Sequence, residues 1–144
     1  MLLIHIASAG TWLGANMVQM ATPGLALAQG PATAAGWARI TAALAQRLYM
    51  PASILLLASG VGLVMNSPVY GFGDLFVNIG FAVIVIGAVL GIVVFAPNAE
   101  RLARAYEVGD QPEIKAANGR LARFGALDTV LVLVAIAVMI LRLA

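Results

Sequence analysis

The sequence predicts an all-α integral membrane protein, an antiparallel bundle of four helices. Of its 144 residues, 62% are hydrophobic and 10% are charged, and the mean hydropathy is +1.01. Soluble domains are usually about 45–50% apolar and about a quarter charged. The chain also contains four apolar segments near the length of about 20 residues that a helix needs to cross a bilayer. This composition excludes a disordered chain, a nucleic-acid-binding tail and an ordinary soluble enzyme, and the lack of cysteine excludes disulfides and CxxC motifs.

The apolar segments divide the chain into spans within one transmembrane domain, residues 1–144. The predicted spans are residues about 1–27, 40–65, 75–96 and 121–141. The first has no formal charge, and we expect it to be retained because it lacks the basic stretch that begins a signal peptide. Pro and Gly residues at positions 23–31 break the chain after it, and Asn66-Ser67-Pro68 ends the second span.

A charged hairpin, residues about 97–120, is predicted between the third and fourth spans. We expect the third helix to continue past Pro97 and the fourth to begin near Pro112, because Asp110 with Glu113 three residues later is a helix-start signal. All the lysine and arginine residues except Arg142 fall on the side of this hairpin, namely Arg39, Arg47, Arg101, Arg104, Lys115, Arg120 and Arg123. Basic loops stay in the cytoplasm, so both termini are expected outside.

His5 is the first candidate functional residue, the only histidine of the chain, early in the first span. Trp12 follows seven residues later, on the same face of a helix. An ionisable residue inside a membrane is a functional candidate, and a neutral imidazole binds haem iron or copper. Met65 and Met139 end the second and fourth spans at the expected depth of His5, where they could complete a His–Met site for haem or Cu(I). The alternative is structural: His5 hydrogen-bonds a neighbouring helix and the methionines fill space.

A second polar group is predicted in the inner leaflet, formed by Asn16, Gln19, Arg47 and Asp128. Asn16 and Gln19 are three residues apart and share a helix face. A charge in hydrocarbon is costly unless it is paired inside the bundle, so we expect an ion pair between Arg47 and Asp128. The structural interpretation is that these residues hold helices together. The functional alternatives are a proton or anion relay and a pocket for a polar head group.

Two runs of residues resemble known membrane families. The run His5-Ile-Ala-Ser-Ala-Gly-Thr-Trp12-Leu-Gly14 resembles the first helix of CopD-type copper-resistance and HemJ-type protoporphyrinogen-oxidase proteins, in which a His precedes a Trp by seven residues and a Gly follows. The run Arg47-Leu-Tyr-Met-Pro51-Ala-Ser-Ile-Leu-Leu-Leu-Ala-Ser-Gly60, with Pro97 and the basic stretch after it, is similar to a small bacterial four-span family of unknown function related to CopD.

The resemblance implies a location in the bacterial cytoplasmic (inner) membrane and a four-span architecture. HemJ-type proteins are thought to bind haem b through a first-helix His, which would correspond to His5. CopD-type proteins are associated with copper uptake. The resemblance therefore implies haem b or copper as the cofactor to look for.

The function expected from the sequence is that of a non-catalytic accessory or structural subunit of a larger membrane complex, such as a respiratory or photosynthetic electron-transfer complex. The chain has no HExxH, GxSxG or Walker A motif and too few His, Asp and Glu residues for a protein-only zinc or di-iron site. The alternatives are a haem- or copper-associated membrane protein using His5, which as an enzyme would be a haem-dependent oxidoreductase, and a small transporter component. The expected partners are the lipid bilayer and either other membrane proteins or further copies of this chain, and not nucleic acid.

Overall fold

Residues 1–141 are described by a computed structural model, and they form four helices with short connections. The helices are α1 (Leu2–Ala28), α2 (Pro31–Met65), α3 (Leu75–Val108) and α4 (Gln111–Leu141). This part of the chain contains no β-strand, so the predicted all-α class is confirmed. Three helices, α2, α3 and α4, are long and apolar enough to cross a membrane. Arg142, which the sequence places on the side opposite the other basic residues, lies outside the described residues.

The second helix begins earlier than predicted. It starts at Pro31 rather than near position 40, and α1 continues through Pro23 to Ala28. The added turns of α2 bury a row of alanines against the end of α3 and the start of α4. This cluster comprises Ala34, Ala35, Ala38, Leu102, Ala103, Tyr106 and Ala117. The second predicted span, residues about 40–65, therefore covers only part of α2, and the small alanine side chains of the added turns allow close helix packing.

Two tight connections join the helices around this cluster. Gly30 has φ +110° between α1 and α2, and Gly109 has φ +73° between α3 and α4. Both conformations suit glycine because it has no Cβ. Asp110 then accepts a hydrogen bond on Oδ1 from the backbone N–H of Glu113 at 3.1 Å. The helix start predicted from that spacing is therefore confirmed, as is the continuation of α3 past Pro97.

A turn of π-helix precedes a proline in both α2 and α3. These turns are Ala45–Tyr49, just before Pro51, and Gly91–Phe95, just before Pro97. Proline has no N–H and its ring crowds the carbonyl four residues earlier, so the backbone widens locally to i→i+5 bonding. Tyr49 in the first turn and Phe95 in the second line a cavity inside the bundle.

The helices enclose a central apolar layer. The helix α1 packs against the second half of α2 and against α4, while the first half of α2 packs against the end of α3. Trp12, Val83, Val132 and Ala135 form the core where α1, α3 and α4 meet. Two cavities lie on either side of this layer, one lined by His5 and the other by Asp128.

Candidate functional site

Asp128 is the most deeply buried acidic residue in the described chain, with 2% of its surface exposed. It lies on α4 and meets two donors from α1. Its Oδ2 accepts a hydrogen bond from Trp12 Nε1 at 2.9 Å and another from Asn16 Nδ2 at 2.8 Å. Hydrogen bonds to a carboxylate are stronger than those between neutral groups. The carboxylate therefore ties α1 to α4 inside the bundle.

The hydrogen-bond network continues from Asn16 to α2. The hydroxyl of Tyr49 donates to Asn16 Oδ1 at 2.7 Å and accepts from Gln19 Nε2 at 2.6 Å. Every donor in this series thus points towards Asp128. We call Trp12, Asn16, Gln19, Tyr49 and Asp128 the polar network. It joins three helices in a part of the chain that is otherwise apolar, where an unsatisfied polar group costs several kcal/mol, so it fixes their register.

A glycine on α3 makes room for the network. A Cβ added at Gly87 would lie 2.5 Å from Trp12 Cζ2 and 3.2 Å from Asp128 Oδ1. Any larger side chain would displace the indole ring or the carboxylate. The close approach of α3 therefore depends on glycine at this position, and it leaves Oδ1 facing backbone rather than a side chain.

The ion pair expected between Arg47 and Asp128 is not formed, which corrects the sequence-based prediction. Arg47 is exposed on α2 and has no hydrogen bond or ion pair among residues 1–141. The residue that reaches the network from α2 is Tyr49, two positions later. The side chain of Asp128 is satisfied instead by neutral donors, and only at Oδ2. Its Oδ1 is buried and has no hydrogen-bond partner.

The polar network borders the larger of the two cavities. This inner cavity has a volume of about 770 Å³ and reaches from Trp12 and Asp128 towards Tyr106 and Asn118. Both π-helical turns contribute to its wall. Its volume lies within the usual range for small-molecule sites, about 300–1,000 Å³.

His5 lies on the other side of the apolar layer and is held by α2. Its Nδ1 lies 3.1 Å from the carbonyl oxygen of Leu56 and 3.2 Å from Ser59 Oγ. A carbonyl oxygen can only accept, so Nδ1 carries the proton and donates it. The Ser59 hydroxyl donates to the Leu55 carbonyl at 2.6 Å, which leaves its oxygen free to accept from His5 as well. In the neutral ring, Nε2 therefore bears a lone pair.

The ring of His5 is positioned by a glycine and borders the smaller cavity. A Cβ at Gly60 would lie 3.1 Å from His5 Cε1, so the ring sits directly on the α2 backbone. The outer cavity has a volume of about 320 Å³ and is lined by both His5 and Met139. Met65 does not line it and is 71% exposed. Of the predicted His–Met set, the structure brings together His5 and Met139 but not Met65.

The chemistry open to these residues is ligation and hydrogen bonding. Residues 1–141 hold no group of three His, Cys, Asp or Glu side chains able to bind a metal ion. A metal at His5 would therefore need Met139, a cofactor or solvent for its other ligands. Sequence reasoning missed Tyr49 and Ser59 as partners, and it did not assign Trp12 to Asp128. The four-residue spacing of Trp12 and Asn16, which places both on one helix face, was the available signal.

Comparison with protein-family models, with curated proteins and with solved structures found no match to this chain. The resemblance to CopD-type and HemJ-type proteins therefore stays a prediction from the sequence runs around His5 and Arg47.

Proposed function

We propose that the protein is a non-catalytic subunit or partner of a larger membrane assembly, and that it presents His5 as a ligand to copper or haem iron. The observation that carries this proposal is the orientation of the imidazole. Metal-bound histidines usually donate their second ring N–H to a carbonyl or carboxylate, which fixes the ring and leaves the other nitrogen free to bind. His5 has this arrangement, with Nδ1 held by Leu56 and Ser59.

The residues around His5 fit copper and haem to different degrees. Imidazole nitrogen and thioether sulfur both suit Cu(I), and Met139 lines the same cavity as His5. Haem iron accepts a single protein His or a His–Met pair. Beyond His5 the cavity wall is apolar apart from Ser67 and Tyr70, but its volume of about 320 Å³ is smaller than a haem, which would have to bind at the cavity opening. Met65 is too far outside the cavity wall to be part of either set.

The membrane arrangement that goes with this proposal has four spans, with both termini outside. Seven of the eight basic residues then lie at the cytoplasmic end, as basic loops require. The native chain has no cysteine, so single-cysteine variants report on topology without background. Val69→Cys, at a position 74% exposed between α2 and α3, should react with an impermeant maleimide from outside. Gln111→Cys, at the start of α4, should react only from the cytoplasm, and the reverse pattern would contradict this topology.

The test of the proposed function is cofactor content. The protein would be purified in mild detergent with a histidine-free tag, loaded with Cu(I) or haem b, and analysed for metal and for its visible spectrum. We expect wild type to retain one of the two, and His5→Gln to lose it. Equal retention by wild type and His5→Gln would overturn the proposal.

The two methionines provide a matched pair of variants for the copper case. Met139→Leu removes the sulfur at the cavity wall and should weaken Cu(I) binding. Met65→Leu makes the same chemical change outside the cavity and should leave Cu(I) binding unchanged. Weakening by both variants alike would show that the sulfur at position 139 is not a ligand.

A small transporter component is the second candidate, because the two cavities are neighbours that share part of their walls. Leu57 and Ile84 line both the outer and the inner cavity. The core around Trp12 and Val83 closes the remaining path. A solute route would open if these side chains moved apart. Uptake of a candidate solute into proteoliposomes tests this function, and a rate equal to that of empty liposomes would exclude that solute.

A further inference from the structure

The inner cavity has one formally charged residue in its wall, and that residue is Asp128. The other lining residues of the described chain are apolar, aromatic or neutral polar. Of the two carboxylate oxygens, Oδ2 accepts two hydrogen bonds and Oδ1 accepts none. The cavity therefore presents a single negative charge with an unused acceptor.

Among residues 1–141, no basic side chain compensates that charge. Arg47, the expected partner, is exposed on α2. The ion pair of the described chain instead joins Arg39, near the start of α2, to Glu107, near the end of α3. The donors on Oδ2 are a neutral indole and a neutral amide. An unpaired charge inside a membrane is costly and usually marks a site that takes a cation or a ligand.

The rest of the inner cavity wall can hold the aromatic or aliphatic part of a ligand. Five aromatic side chains line the cavity, Trp12, Trp37, Tyr49, Phe95 and Tyr106. Aromatic faces attract cations, and the attraction is larger where water is excluded. The volume of about 770 Å³ accommodates a ligand of several fused rings.

We propose that the inner cavity binds an amphiphilic organic cation. A positively charged or N–H-bearing head group of the ligand donates to Oδ1 of Asp128, and its apolar body lies against the aromatic wall. Oδ1 packs against the α3 backbone at Gly87, so the carboxylate turns towards the cavity, whose wall it already forms, when the head group binds. This site is distinct from the one at His5, which does not line the inner cavity, so either proposal can fail without the other.

The experiment uses ethidium, an aromatic cation with amino N–H donors, and purified protein in detergent. We expect saturable binding followed by ethidium fluorescence. We expect no comparable binding of anilinonaphthalene sulfonate, which has a similar size but is an anion. Asp128→Asn keeps the shape of the side chain and an oxygen for Trp12 and Asn16, but removes the charge. It should weaken ethidium binding about tenfold or more, as expected for a lost hydrogen bond to a charged group.

Glu100→Gln is the matched control. It removes one negative charge from an exposed position on α3, outside the cavity, and should leave ethidium binding unchanged. Equal weakening by both variants would mean that ethidium responds to net charge, which would overturn the proposal. Tight binding of the anionic dye, or equal affinity of wild type and Asp128→Asn for ethidium, would do the same and would identify the cavity as an unselective apolar site.

A second variant tests the cavity while keeping the carboxylate. Ala122 lines the cavity at a position exposed to its opening, so Ala122→Phe narrows the space without touching Asp128. We expect weaker ethidium binding with an unchanged melting temperature. Full ethidium affinity in Ala122→Phe would contradict binding at this place.

Discussion

Replacing Trp12 by Phe tests the polar network most sharply, because it removes one donor and little else. The indole is 4% exposed, and its Nε1 donates to Asp128 Oδ2 at 2.9 Å. A hydrogen bond to a charged group contributes about 1.5–3 kcal/mol. The smaller ring also leaves a void of roughly 40 Å³, which costs about 1 kcal/mol. We therefore expect Trp12→Phe to lower the free energy of unfolding by about 2.5–4 kcal/mol.

The assay is unfolding by SDS in mixed micelles, followed by circular dichroism at the helix band. Trp37→Phe is the matched control, since Trp37 lines the inner cavity but has no hydrogen bond to Asp128. It makes the same change of ring, but Trp37 is only half-buried at the cavity wall, so it should cost no more than about 1 kcal/mol, the void term of a fully buried ring. A loss in Trp12→Phe no larger than that in Trp37→Phe would refute the role of the indole N–H.

A double-mutant cycle separates the bond from the packing. In an Asp128→Ala background the acceptor is gone, so the additional cost of Trp12→Phe should fall towards the void term of about 1 kcal/mol. An unchanged cost in that background would show that Asp128 is not the partner that matters.

Three further variants follow from the same geometry. Tyr49→Phe removes a hydroxyl that makes two hydrogen bonds to neutral groups, each contributing about 0.5–1.5 kcal/mol, so it should lower the free energy of unfolding by about 1–3 kcal/mol; an unchanged free energy would contradict the place of Tyr49 in the network. Arg47→Ala should change unfolding by no more than about 0.5 kcal/mol because Arg47 is exposed and unpaired, whereas a loss of 3 kcal/mol or more would restore the buried ion pair. Gly109→Ala should lower the melting temperature, since φ +73° costs a residue with a Cβ about 1–2 kcal/mol, and an unchanged melting temperature would contradict the left-handed turn.

Hydropathy and the helix-breaking Pro, Gly and Asn residues predicted the presence of the helices better than the residue at which each helix starts. Asn66-Ser67-Pro68 follows the last residue of α2, and α4 begins beside Pro112 as expected. The helix α2 begins at Pro31, before the second predicted span, and its added turns contain Ala34, Ala35 and Ala38. Their helical state depends on packing against α3 and α4, and this information is not local in the sequence.

Three of the five members of the polar network were predicted, but their pairing was not. The cluster of Asn16, Gln19 and Asp128 follows from helix periodicity and from the cost of a lone carboxylate in lipid. The choice of Arg47 as partner followed charge alone. The π-helical turn at Ala45–Tyr49 changes which side chains face inward, and it presents Tyr49 instead. A sequence shows that Pro51 disturbs the helix, but not by how many degrees the turn before it rotates.

The sequence likewise could not show which methionine lies beside His5. The ends of the predicted spans placed His5 and Met139 at one depth, and both line the outer cavity. Met65 was grouped with them because it ends a span at that depth. Depth does not fix direction around the helix axis, and the side chain of Met65 points away from the cavity.

The central claim is that His5 presents Nε2 with a free lone pair, and nitrogen NMR tests it most directly. The chain has one histidine, so ¹⁵N-histidine labelling with a histidine-free tag gives one pair of imidazole signals. We predict a protonated Nδ1 and an unprotonated Nε2, and a change confined to Nε2 when Cu(I) or haem b is added. A proton on Nε2 with a bare Nδ1 would contradict the hydrogen bond to Leu56 and, with it, the assignment of His5 as a ligand.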